Sequence, residues 1–428
     1  MKNILTIAVA AMIFGAVACN KSQTMENSEP EFVTVRDGEF FIGDSVYRYV
    51  GTNFWYGAIL GAERQGDRAR LAAELDSLKA LGITNLRVLA GGQGDRHMAS
   101  HIEPTLQKAP GVYDQDLLEG LDYFIAELEK RDMKAVIYLN NAWEWSGGYG
   151  TYLEWAGEGQ APVPAETSYP EFMNFVKNFV TNDSAKALFA QHVDSIVGRT
   201  NTVTGQPYSQ STAIMSWQIA NEPRAFDPAN LPALEQWLTS TAAQIKAIDS
   251  NHLVSTGSEG SWGCENDLEV WTRIHSDANI DYANIHIWPY NWSWVSPDSL
   301  METLPAGCDS TLRYITEHYN AINPKGKPIV LEEFGFPRDS MAIAQGTPTE
   351  ARDKYYSFVF DIIANSGMIK GANFWGWGGL AVPNHRTWQP GDPYTGDPAQ
   401  EDQGLNSVYI SDRSTLGIIQ NAIANIKK

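Results

Sequence analysis

Eight short runs rich in β-branched and apolar residues alternate with stretches of helical spacing: residues 47–53, 83–89, 134–139, 213–219, 252–256, 282–287, 328–333 and 369–374. Strands separated by helices predict a parallel sheet. Between them, Leu71, Leu75, Leu78 and Leu81 mark a helix over residues 68–81, and Leu117, Leu121, Phe124 and Leu128 mark another over 116–131. Further helical patterns cover 231–249, 308–320, 352–365 and 414–426. The strand count favours α/β architecture closed into a (β/α)8 TIM barrel; an open doubly wound sheet would need fewer strands and a nucleotide-type glycine loop, which the chain lacks. Residues 36–47 are expected to form a small hairpin or lid ahead of the first barrel strand.

Loops after the strand runs are long and aromatic, whereas those after the helices are short, as at Leu81-Gly82. This asymmetry puts the working face at the carboxyl ends of the strands. Two glutamates stand there. Glu222 follows the fourth run, where an apolar stretch stops at Asn221-Glu222-Pro223, and Glu333 closes the seventh, ahead of Phe334-Gly335. Two carboxylates at one barrel mouth are the minimum equipment for cutting a glycosidic bond. Side chains alternate along a strand, so only one of the adjacent Glu332 and Glu333 is expected to point inward. Arg87, inside an apolar run, is costly to bury alone and calls for an acidic partner. The long segment 378–406, rich in Gly, Pro, Asp and aromatics, is expected to shape one wall of the cleft.

The amino terminus reads as an export signal. Lys2 precedes an apolar stretch from Ile4 to Val17, too short to span a bilayer, that ends in Ala16-Val17-Ala18-Cys19. It resembles a bacterial lipobox, which implies a signal over 1–18, lipid on Cys19 and a polar tether over 19–31 ahead of a catalytic domain over 32–428; a plain secretory signal is the alternative. The expected location is the bacterial outer membrane, on its periplasmic or outer face. A formal charge of −20 without clustered Lys or Arg argues against nucleic acid, while fourteen Trp and eighteen Tyr suit stacking on neutral sugars as well as core packing. Cys264 and Cys308 are free or paired on sequence grounds alone. No Cys/His set has zinc spacing; His97 and His101 lie four apart, but in a glycine-rich stretch that does not read as a helix.

The chain resembles glycoside hydrolase family 5 of the large retaining clan, and within it the endo-β-1,4-mannanases. Asn-Glu-Pro and Glu-Phe-Gly carry the clan; Gly51-Thr-Asn-Phe-Trp-Tyr-Gly57, Asn140-Asn-Ala-Trp-Glu-Trp-Ser-Gly-Gly148, Glu222-Pro-Arg224, His286-Ile-Trp-Pro-Tyr-Asn-Trp-Ser-Trp294 and Phe374-Trp-Gly-Trp-Gly-Gly379 carry the finer likeness. The resemblance implies Glu222 as acid/base with a raised pKa and Glu333 as an ionised nucleophile held by Arg87. It further implies Asn221 on the sugar 2-hydroxyl, His286 beside the pair, Trp375 as a sugar platform and Arg224 toward the product side. Trp288 stands where the family often has a tyrosine that donates to the nucleophile. Trp55, Asn140, Trp143, Trp145, Trp292 and Trp294 are candidates for lining further subsites. No cofactor or metal is implied, and the protein is expected to act as a monomer on mannan, glucomannan or galactomannan. The rivals are a cellulase, an exo-acting mannosidase, and a surface glycan-binding protein without catalysis.

Overall fold

In the computed structural model, which describes residues 31–426, every one of the eight runs forms a strand, with ends shifted by one or two residues: β1 (Tyr49–Asn53), β2 (Asn85–Leu89), β3 (Lys134–Tyr138), β4 (Ile214–Gln218), β5 (Leu253–Ser255), β6 (Ala283–Ile287), β7 (Ile329–Phe334) and β8 (Gly371–Phe374). They form one eight-stranded sheet in the order β5-β4-β3-β2-β1-β8-β7-β6, all parallel. Sequence neighbours pair and β1 lies against β8, the order of a (β/α)8 barrel. β5 and β6 are the two ends of that order, and side chains together with isolated main-chain bonds, such as Asp281 N to Val254 O at 2.9 Å, close the wall between them. Asn284 Oδ1 on β6 accepts from the amides of Thr256 (3.2 Å) and Gly257 (3.0 Å), and Asp281 Oδ2 accepts from Val254 N (2.7 Å).

The helix Arg68–Leu81 starts where the Asp67 side chain accepts from Arg70 N, and ends at Gly82 with φ 84°, a left-handed stop that glycine takes without strain. Its Leu71, Leu75 and Leu78 are fully buried, as their spacing predicts. The helix expected over 308–320 runs instead from Leu300 to Ile322, through Pro305; buried Leu300, Leu304 and Gly307 continue its apolar face past the proline. The reading misses Gly148–Trp155, Tyr169–Val176, Asp183–Val197 and Leu268–His275. The first is glycine-rich and buried over most of its length, so it shows no helical period.

Residues Val33–Arg36, Glu39–Ile42 and Ser45–Val46 form the expected antiparallel hairpin with one strand more. It is not a lid over the working face. Val33 and Phe40 pack with Tyr49, Val136, Met215, Leu253, Tyr282 and Val330 at the amino ends of the strands, so the hairpin plugs the opposite end of the barrel. Cys264 and Cys308 are unpaired. No helix among the described residues is long and apolar enough to cross a membrane. The export signal, Cys19 and all of the expected tether except Glu31 lie outside the described residues.

Candidate active site

A bulge in β7 places both of its glutamates. Pairing with β6 runs Asn284↔Val330, Ile285↔Leu331 and then His286↔Glu333, so Glu332 is an extra residue. Bulges re-aim side chains, and strict alternation fails here: Glu332 and Glu333 both face the barrel interior. Glu332 Oε2 accepts from Gln218 Nε2 on β4 at 2.6 Å, whereas Glu333 sits higher, hydrogen-bonded to Arg87 of β2 through Nη1.

Glu222 reaches the same point from the end of β4. Its φ is 47°, a left-handed backbone that costs a non-glycine residue about 1–2 kcal/mol. Its amide donates to Gly257 O at 3.0 Å. Gly257 in turn admits no side chain, since a Cβ there would lie 1.8 Å from Ala220 O. The strained turn aims the Glu222 carboxylate across the mouth at Glu333. Glu222, His286 and Glu333 each offer one polar atom within 4.8 Å of the others.

Arg87 is fully buried and donates from all three nitrogens of its fork. Nε donates to Gln218 Oε1 (2.8 Å), Nη1 to Asn53 Oδ1 (3.0 Å) and Glu333, and Nη2 to Asn221 Oδ1 (2.9 Å). Asn221 Nδ2 donates to Asn141 Oδ1 at 3.1 Å. One cation thereby fixes Glu333 and Asn221 together. The Trp288 indole donates to Glu333 Oε2 at 3.3 Å, supplying the hydrogen bond for which the family often uses a phenol. Trp143 Nε1 donates to Glu222 Oε2, and its ring lies under the Arg224 guanidinium at 5.2 Å.

His286 lies between the acids, with Nδ1 2.9 Å from Glu222 and 3.4 Å from Glu333. Burial opposes charge on its ring, yet Glu333, Glu222 and Glu332 outweigh it and push the pKa up to about 9. Burial also acts to raise Glu222, but His286, Arg224 and Trp143 leave its carboxyl below the ordinary value. For Glu333 burial prevails over His286 and Arg87, Glu222 adds repulsion, and the carboxyl is raised. This differs from the expectation of a raised Glu222 beside a Glu333 kept ionised by its donors, because the His286 hydrogen bond falls on Glu222. Groups this close titrate as one unit, and within it His286 is the member whose charged form the neighbouring carboxylates favour.

The cleft around these groups has a volume of about 470 Å³, within the usual range for small-molecule sites. Asn221, Glu222, Arg224, Trp143, Trp288, Glu333 and Trp375 line it, as do Trp145 and Trp292; His286 is buried behind them. Trp55 and Asn140 do not. Trp55 is packed among Tyr56, Trp145 and Tyr394 with its Nε1 on Gly396 O. Asn140 acts through its main chain, whose carbonyl accepts from Asn221 N at 2.8 Å. Trp294 packs on Trp292 and Tyr314.

Sequence reasoning missed several groups. Glu259 takes a two-pronged pair from Arg224 and is pushed up to about 7 by burial against that partner; a carboxylate a few residues past the fifth strand run was a signal of the same kind as Glu222. Trp262 stacks on Trp292 at 4.8 Å. From segment 378–406, Gln400 and Glu401 enter the cleft, each with a buried oxygen lacking a hydrogen bond. Burial, then Asp397, raises Glu401 well above the usual carboxylate range. Only the length of the segment hinted at them.

Among the described residues, Glu222, His286 and Glu333 are also the one group spaced to hold a metal. Arg87, His286, Trp143 and Trp288 already donate to those carboxylates, so the site satisfies its charge with its own side chains. His97 and His101 are not part of such a group: His97 meets Glu103 and His101 meets Ile102 O.

Residues 30–428 match the model of a family described as GH family 5 beta-mannosidase-like. The chain is 30% identical over 382 residues to mannan endo-1,4-beta-mannosidase 1 of Arabidopsis thaliana, covering 84% of each. It is 26% identical to putative mannan endo-1,4-beta-mannosidase 9 of Oryza sativa subsp. japonica, covering 91% of this chain and 90% of that one. The crystal structure of the glycoside hydrolase family 5 mannosidase from Rhizomucor miehei superposes with a TM-score of 0.85 at 33% identity, covering 94% of this chain and 98% of that one. The endo-1,4-beta-D-mannanase of Thermotoga petrophila RKU-1 shares the fold, with a TM-score of 0.66 at 24% identity over 88% of this chain and 99% of that one. A barrel with paired carboxylates at its mouth defines a glycoside hydrolase. The chain belongs to glycoside hydrolase family 5, in its beta-mannosidase-like group.

Proposed function

We propose that the protein hydrolyses β-1,4-mannosidic bonds with retention of configuration, with Glu333 as nucleophile and Glu222 as acid/base. The observation that carries this is that the two carboxylates each bring an oxygen to within 4.8 Å of the other across one cleft, on the side of the roughly 5–5.5 Å spacing of retaining enzymes rather than the wider spacing of inverting ones. Glu333, aimed by Arg87, attacks the anomeric carbon. Glu222 gives a proton to the departing oxygen, then takes one from the water that frees the sugar from Glu333. The proton Glu222 needs is held 2.9 Å away on His286 Nδ1; its transfer leaves a neutral imidazole and a carboxylic acid, with no change in net charge. Asn221, fixed by Arg87, meets the sugar 2-hydroxyl, Trp375 forms the floor, and Arg224 faces the product side.

Mannan is the substrate that the names of the relatives support, and the proposal extends to glucomannan, galactomannan and oligosaccharides cut from them. Endo cutting needs a groove open at both ends. One observation favours action on chain ends or short oligosaccharides instead. The segment carrying Gln400 and Glu401 is fastened across the loop after β2 by Tyr394, whose hydroxyl donates to Glu103 O at 2.6 Å, and it walls the cleft on the Trp375 side. Mannohexaose digestion with the anomer followed over time tests both points. Chain-end action releases mannose first, endo action gives mannobiose and mannotriose, and an α-anomer as first product defeats the retaining assignment.

We also infer export and lipid anchoring through Cys19, on the strength of the Ala16–Cys19 motif. Membrane fractionation of the full chain against Cys19→Ser checks it: the variant should move to the soluble fraction, and an unchanged distribution would discard the anchor.

A further inference from the structure

Glu332 has no place in the reaction as written, yet it is a carboxylate with no exposed surface in the centre of the barrel. An apolar residue of similar size would fill the space without the cost of burying an acid. Its Oε2 takes a hydrogen bond from Gln218 and lies 3.8 Å from Arg87 Nε and 3.9 Å from His286 Nε2. Its Oε1 has no hydrogen-bond partner, nor has His286 Nε2. Two unsatisfied buried atoms thus belong to neighbouring side chains, one an imidazole nitrogen and the other a carboxylate oxygen. The bulge in β7 is what brings the two side chains together, with Oε2 the oxygen nearest Nε2, because in a regular strand Glu332 would face outward into the helices.

We propose that Glu332 is a positioning residue that holds His286 as an imidazolium from below, so that Nδ1–H is always presented to Glu222. The inference rests on the acid/base role proposed for Glu222. The order Glu332, His286, Glu222 sets the ring between two carboxylates on opposite nitrogens, so the ring faces the same way whichever carboxylate is being used. The other charged or titratable groups around the ring are Glu333 above it on β7, Glu259 beyond β5, Arg87 from β2 through Glu333, and Tyr282 before β6; with Arg87 neutralising Glu333, Glu332 is the one facing the Nε2 side. Loss of its charge removes support from the ring's proton while leaving Arg87 its bonds to Asn53, Asn221 and Glu333.

The test is Glu332→Gln in the full chain, with Glu332→Asp as the conservative companion. The wild-type alkaline limb of kcat should fall near pH 9, where His286 loses its proton. In Glu332→Gln that limb should move down by at least one pH unit, the ratio of wild-type to variant kcat should grow from pH 6 to pH 8, and KM should change less than kcat; Glu332→Asp should recover part of the shift. In parallel, the 15N resonances of His286, identified by their loss in His286→Gln, should titrate at correspondingly lower pH in Glu332→Gln. A limb and a titration that overlay the wild type, whatever happens to thermal stability, overturn the proposal and leave Glu332 a structural acid. The resonance titration needs no turnover, so failure of the hydrolase reading would show as an inactive wild type and is separable from failure of this one.

Discussion

Glu333→Ala is expected to lower kcat on mannooligosaccharides by about 10⁴-fold or more, and Glu222→Ala by about 10²–10⁴-fold, the range for losing a general acid. The two losses should differ in kind. Without Glu222, a substrate whose leaving group departs unprotonated, such as a dinitrophenyl mannoside, should still load the nucleophile, so a burst of phenolate followed by slow turnover is expected. Without Glu333 there is nothing to load and no burst. A glycan-binding protein would bind mannooligosaccharide equally well in both variants and have no activity to lose, which isothermal titration alongside the rate measurements would reveal. Equal and small effects of the two substitutions would remove the double-displacement assignment.

Arg87→Ala is expected to be nearly as severe for a different reason. The guanidinium is fully buried and paired with Glu333, with Glu332 3.8 Å from its Nε. Removing one partner of a buried ion pair costs about 3–5 kcal/mol, since the charge left behind has neither water nor counter-ion. The urea midpoint should fall accordingly. Whatever folded enzyme remains should have a Glu333 of sharply raised pKa and an unanchored Asn221, so kcat falls together with stability. Arg87→Lys should restore part of the stability and little of the rate, because an ammonium cannot reach Gln218, Asn53, Glu333 and Asn221 at once. A lysine variant with full kcat would show that charge alone is needed, without the fork.

Much of the fold was legible because its signal is local. Eight apolar runs and the short turns ahead of them are set by burial and chain reversal, which act over a few residues, and they gave β1 to β8 with errors of one or two positions. Glu222, Glu333 and Arg87 were legible by the same physics, as polar groups ending or interrupting apolar strands. The misreadings come from non-local causes. Trp55 and Trp145 are close in type and in loop context, yet one is sealed by Tyr394 from a distant segment and the other borders the cleft. Glu332 was assigned outward on the alternation rule, and only pairing with β6 reveals the extra residue that turns it inward. Glu401 lies in a segment with no period to read, and its meaning comes from where Tyr394 and Asp397 fasten that segment.

The wall between β5 and β6 is stitched by the Asn284 carboxamide and by Asp281, through its carboxylate and its amide, in place of a strand ladder. Just above it the His286 amide donates to Glu259 O at 3.1 Å, so the seam without a strand ladder is also the one on which the His286 ring is mounted. Such a seam is expected to open on heating before the paired strands separate, so activity should be lost below the global melting temperature, and added bonds across this seam should close that gap.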